Sequence, residues 1–155
     1  MASPPIPESR VYRHVQCGTE TVISGDVFEV ASNPLSDMTR TWCTHCNAFF
    51  PIADYEWSDT GEKISDYYVR HSARASQLER FLCSKKFMIV CAITGFILGA
   101  VAAHFLCRNQ ALWLQILMVL FIGGLGVFGA CAIYLAIGKP IARRVCGVSD
   151  TRLLK

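Results

Sequence analysis

The sequence predicts a small β-rich head, then an amphipathic helix, then an α-helical hairpin of two membrane-spanning segments. Three observations predict it. Residues 87–106 and 111–137 form two apolar runs that hold no Asp, Glu, Lys or Arg. Two short-spaced pairs, His14-x2-Cys17 and Cys43-x2-Cys46, precede those runs. Around and between the pairs, short stretches rich in Val, Ile, Phe and Trp are punctuated by Gly, Asn and Pro, which is how short strands and turns read.

The first apolar run has 20 residues, or about 30 Å of helix, the thickness of a bilayer's hydrocarbon core. The second is longer and must tilt or overhang. Two lone segments cannot close a barrel, so each must be a helix to satisfy its backbone in lipid. Residues 107–110 make the turn, and Gly138-Lys139-Pro140 is expected to end the second helix.

The net charge of +3 conceals an asymmetry. Residues 1–66 carry four Lys/Arg against ten Asp/Glu, and residues 67–155 carry eleven against two. An acidic head argues against nucleic acid as its partner, and a basic second half suits anionic lipid. Eight cysteines are many for 155 residues. Cys91, Cys107 and Cys131 lie in or beside the apolar runs, where cysteine is a small hydrophobe.

In chain order, residues 1–10 hold three prolines and read as a disordered leader. Residues 11–57 form the β domain. Val22-Ile23 and Val27-Phe28-x-Val30 are expected to be two strands of a hairpin turning at Gly25. Met38 to Trp42 and Ala48 to Trp57 are expected to supply the remaining strands, with Pro51 bending the last or keeping it at an edge. Residues 58–86 are expected to form one amphipathic juxtamembrane helix with Asp59 and Glu62 at capping-box spacing. Ile64, Tyr68, His71, Ala75, Leu78 and Leu82 mark its apolar face. Arg70, Arg74, Arg80, Lys85 and Lys86 would then meet lipid head groups. Alternatively the helix packs on the head and its arginines are solvated. Residues 138–155 read as a short, irregular basic tail.

His14, Cys17, Cys43 and Cys46 make a His-x2-Cys…Cys-x2-Cys set with 25 residues between the pairs. Gly18 and Asn47 follow the second ligand of each pair, where a tight turn wants positive φ. Residues 11–57 thus resemble a zinc ribbon, a small β domain whose two knuckles clamp one ion. The resemblance implies a structural zinc held by these four side chains. His14 stands where many ribbons have cysteine. Four protein ligands leave no coordination position for water, so the site is expected to fold the head, not to catalyse. Trp42-Cys43-Thr44-His45-Cys46 also resembles the W-C-x-H-C site of thiol–disulfide oxidoreductases. That alternative makes Cys43 and Cys46 a redox pair and leaves His14 and Cys17 unexplained.

Within the hairpin, Gly95, Gly99 and Ala103 recur every four residues, and Gly123, Gly126 and Ala130 supply small residues on the second helix. They are expected to pack the two helices together. Homo-oligomerisation through Gly95 and Gly99 is the alternative. Lys and Arg cluster before the first run and after the second, while the turn holds only Arg108, which places both termini in the cytoplasm. The expected function is a non-enzymatic, multi-pass membrane protein whose head docks a protein partner or assembles a complex. The alternatives are a membrane-tethered oxidoreductase and a lipid-binding or membrane-shaping protein.

Overall fold

The computed structural model of the chain describes residues 5–155, which divide into two compact units. The head combines residues up to Ser76 with Ile141–Lys155, and the second unit is Gln77–Pro140. The head is therefore discontinuous in sequence. Residues 1–4 of the expected leader lie outside the described residues, and the leader is shorter than expected, because strand β1 already begins at Ser9.

Strand β1 (Ser9–His14) is the centre of a three-stranded antiparallel sheet. It pairs with β2 (Glu20–Ser24) on one side and β5 (Tyr55–Trp57) on the other. β3 (Arg40–Cys43) and β4 (Ala48–Pro51) form a separate antiparallel hairpin. The expected single strand from Ala48 to Trp57 is instead two strands in different sheets. Pro51 ends β4, and a 3-10 turn over Ile52–Asp54 redirects the chain into β5.

The expected strand after Gly25 is a helix, α1 (Gly25–Ser32). Val27 and Val30 are exposed, while Phe28, Ala31 and Ser32 are buried. That spacing of three and four is helical, so burial of one helical face outweighs the strand propensity of the two valines. Gly25, at φ +56°, makes the sharp exit from β2.

The expected long amphipathic helix is broken. α2 (Ile64–Ser72) and α3 (Gln77–Leu82) are separate helices, and α3 belongs to the second unit. The capping box does not form: Lys63 is the N-cap of α2, without a side-chain cap, and Asp59 pairs with Arg10. α2 packs on the head through Ile64, Tyr67 and Tyr68. The Tyr67 and Tyr68 hydroxyls donate to the carbonyl oxygens of Ser32 and Ala31, each at 2.9 Å. Two adjacent tyrosines thus satisfy carbonyls that the end of α1 leaves without helical partners.

The second unit holds α4 (Lys85–Cys107) and most of α5 (Leu112–Cys146), two helices long and apolar enough to cross a membrane. Ser84 caps α4, its hydroxyl accepting from Phe87 N at 3.2 Å. The connecting turn is closed by Gln115, whose Nε2 donates to the carbonyls of Arg108 and Gln110. At the other end Tyr134 OH donates to Cys83 O at 2.9 Å.

α5 does not stop at Pro140 but continues to Cys146. The stop lies at Gly147, at φ +68°. Gly147 N donates to Arg144 O and Val148 N to Arg143 O, the paired bonds of a Schellman cap. Nor is the tail beyond it irregular: Asp150 caps a 3-10 turn over Thr151–Leu153, and Leu154 enters the head's core.

Candidate metal centre

Two tight turns bring four ligand side chains together. His14 is the last residue of β1, and the chain turns there. His14 N donates to Thr19 O and Gly18 N to His14 O, with Gly18 at φ +70°. Cys43 ends β3 and Cys46 lies in the turn to β4. Cys46 N points at Cys43 Sγ at 3.5 Å, and Asn47 takes φ +52°. Asn47 is the only non-glycine residue with positive φ among the described residues. Asparagine tolerates that region better than most residues.

The ligand atoms of His14, Cys17, Cys43 and Cys46 all lie within 4.8 Å of one another, and the set could hold a metal ion. His14 Nδ1 is 3.1 Å from Cys17 Sγ and 3.7 Å from Cys46 Sγ, and Cys17 Sγ is 3.6 Å from Cys43 Sγ. Metal–sulfur bonds of about 2.3 Å and metal–nitrogen bonds of about 2.0 Å on a tetrahedron set neighbouring ligand atoms roughly 3.5–3.8 Å apart. The cluster is close to that size before any adjustment.

Burial orients the histidine. Its ring lies between Phe50 and Tyr55, with centroids 4.5 and 4.8 Å away. Nε2 is buried without a hydrogen-bond partner, so the imidazole's polar engagement is through Nδ1, toward the sulfurs. Cys43 is fully buried, Cys17 half-buried and Cys46 exposed. No disulfide joins these cysteines.

The thiols do not share one environment. Cys17 is lowered to about 6, first by a hydrogen bond from the Thr19 side chain, with the Thr19 amide, His14 and Cys43 adding to it. Cys46 is pushed up to about 11, first by desolvation of its sulfur and then by the crowding sulfurs of Cys43 and Cys17. Three thiolates this close repel one another in protein alone. A divalent cation among them reverses the sign of that interaction and favours the deprotonated set.

The rival redox reading meets a different geometry. β4, not a helix, follows Cys46, so the pair does not lead directly into a helix whose N-terminus would stabilise a thiolate.

The other residues singled out from sequence fall as follows. Gly95 lies against Gly126 and Ala130, and Gly99 against Ile122 and Gly123; Gly123 also faces the Phe96 ring. Ala103 is fully buried on α4. Arg70 is held by Glu62 at 2.7 Å and by Lys155 O at 2.8 Å. Arg74 lies in the break between α2 and α3, Arg80 on α3, and Lys85 and Lys86 in the first turn of α4. Thr19, Phe50 and Tyr55 also shape the centre and were not singled out from sequence. The signal for them is proximity to the ligands in sequence: Thr19 directly follows the first knuckle, and Phe50 and Tyr55 follow the second within ten residues.

No known protein family, curated protein or solved structure matches this chain.

Proposed function

We propose that the chain is an integral membrane protein anchored by α4 and α5, whose zinc-ribbon-like head, folded around one zinc ion, docks or assembles a protein partner on the cytoplasmic face. The observation that carries this reading is the closed His/Cys3 set: four ligand atoms within 4.8 Å of one another. Three sulfurs and one imidazole in tetrahedral reach suit zinc, and a fourfold protein shell leaves no position for a substrate. The ion's role is then to hold the β3–β4 hairpin onto β1.

Membrane anchoring is supported by the two long apolar helices. A common side for both termini is supported by the composition of the head. Residues up to Ser76 and Ile141–Lys155 belong to one compact unit, so the chain leaves that unit before the hairpin and rejoins it afterwards. A cytoplasmic head follows from the Lys/Arg bias, with only Arg108 in the turn. Docking is supported by Trp42 and Phe49, a cross-strand pair with rings 5.0 Å apart whose Phe49 is 62% exposed. Exposed aromatic pairs on a rigid hairpin are typical binding anchors.

The test is site-specific photo-crosslinking in cells from position 49 of the full chain, with position 20 on β2 as control. The reading expects a discrete protein adduct from position 49 that disappears in Cys43→Ser. Adducts to lipid alone, or identical adducts from both positions, contradict it. Thiol-labelling at positions 5 and 109 in intact cells tests the topology. Protection of position 5 with labelling of position 109 agrees with it, and the converse reverses it.

A further inference from the structure

The hairpin carries a groove of about 550 Å³, lined on α4 from Phe87 to Gly99 and on α5 from Gly126 to Ile133. Its volume falls within the range of about 300–1,000 Å³ typical of small-ligand sites. Large side chains (Phe87, Leu98, Ile133) alternate along it with small ones (Gly95, Gly129), and Thr94 is the one hydroxyl in its lining. We propose that this groove holds one acyl chain of an anionic phospholipid, with the head group at the Lys85–Lys86 end of α4. The proposal rests on the reading that α4 and α5 cross a membrane.

Length, size and charge select this occupant. From Phe87 to Gly99 the groove covers roughly 18 Å of helix, close to one leaflet of a hydrocarbon core about 30 Å thick. It begins at the charged end and stops near mid-membrane, as a single acyl chain does. A second helix, about 10–12 Å across with its side chains, is wider than a slot of this volume and length accepts. The glycine contacts that draw helices together are already used within the hairpin, at Gly95 with Gly126 and at Gly99 with Gly123. The charge near that end is mostly basic. No Asp or Glu occurs between Arg80 and Ser149, with Glu79 on α3 the nearest acid before that stretch, while Lys85 and Lys86 lie in the first turn of α4 and Lys139 lies within α5 beside Pro140. Tyr134 OH on Cys83 O and Cys83 Sγ on Gly138 O join the entry of α4 to α5 at this end of the groove.

One position tests the groove without disturbing the helix pair. A Cβ on Gly129 meets nothing within 4 Å, and Gly129 lines the groove, so Gly129→Leu fills it. Gly124 is equally open but lies outside the lining, so Gly124→Leu is the control. The full chain is reconstituted in equimolar phosphatidylglycerol and phosphatidylcholine, purified in mild detergent, and its retained lipids are counted by mass spectrometry. The expected result is about one phosphatidylglycerol per chain in the wild type and in Gly124→Leu, with a loss of roughly fivefold or more in Gly129→Leu. Lys85→Gln with Lys86→Gln should keep a lipid but reduce the preference for phosphatidylglycerol roughly tenfold. Equal retention of both lipids by the wild type overturns the proposal, as does undiminished retention in Gly129→Leu. Lipid-free dimers crosslinked through Cys91 assign the groove to a second copy instead. Release of the chain from membranes by alkaline carbonate removes the membrane reading as well, whereas an embedded chain without retained lipid removes only this one.

Discussion

Arg10 donates through Nη1 to the carbonyl oxygen of Leu154 at 3.2 Å, across 144 residues of sequence. The same guanidinium lies 4.0 Å over the Trp57 ring and pairs with Asp59 at 3.0 Å. The first strand of the head therefore holds the segment that follows the α4–α5 helical hairpin. Leu154 is 7% exposed and belongs to the same core cluster as Phe28, Trp57 and Tyr67.

Leu154→Ala should cost the head about 2–4 kcal/mol, the usual range for emptying a buried leucine site. Removing residues 148–155 should cost more, because it also removes one hydrogen-bond partner each from Arg10 and Arg70. Chemical unfolding of the full chain in detergent, followed by near-UV circular dichroism, measures both. An unfolding midpoint unchanged by the truncation would mean that the returning segment is dispensable.

The Asp150 carboxylate should make the returning segment acid-sensitive. It accepts from Arg152 Nε at 2.9 Å and Nη2 at 3.0 Å, with Arg143 at 3.7 Å. These hold its pKa below the ordinary 3.8, the Arg152 hydrogen bond first. A carboxylate lowered in the folded state adds stability above its unfolded pKa, and that stability is lost as pH falls through the folded value. The advantage of the wild type over Asp150→Asn should thus be complete at about pH 6 and shrink as pH falls below about 4. Thermal unfolding of both proteins from about pH 7 to about pH 3 checks this, and a constant difference across that range would contradict it.

Gly99→Leu should loosen the α4–α5 pair. A Cβ at Gly99 would stand 2.5 Å from Ile122 O and 2.9 Å from Gly123 Cα, and backbone atoms cannot step aside. The expected loss is about 1–3 kcal/mol or more, as for overpacking elsewhere. Gly124→Leu, which meets open space, should be neutral. Thermal stability in detergent and resistance of the 107–110 turn to proteolysis report the difference. Equal behaviour of the two variants would mean that the helices do not pack through this face.

Much of this architecture was legible because its causes are local. Uninterrupted apolar runs marked α4 and α5, and ligand spacing with Gly18 and Asn47 marked both turns of the candidate metal centre. What was hidden depends on partners distant in sequence. Val27 and Val30 advertise a strand, yet α1 forms because Phe28 and Ala31 are buried in the core that holds Tyr67 and Tyr68, whose hydroxyls bond the carbonyls at the helix's end. Ile64 to Leu82 carries one periodic face, yet Tyr67 and Tyr68 commit its first half to the head and the chain breaks before Gln77. Pro140 reads as a terminator, but the Gly147 cap and the docking of Leu154 carry α5 past it. Tertiary burial outweighs local propensity in each case.

The metal content of the full chain tests the central claim most directly. Elemental analysis of the purified protein should find one zinc per chain, and a strong chelator should remove it together with the head's near-UV signal, because binding energy is folding energy in so small a domain. Cys17→Ser should do the same damage as Cys43→Ser or Cys46→Ser, since the sulfurs of all three stand in one cluster with His14 Nδ1. A chain that carries no metal, keeps its head folded in chelator, and tolerates Cys17→Ser while cycling a Cys43–Cys46 disulfide would contradict the account.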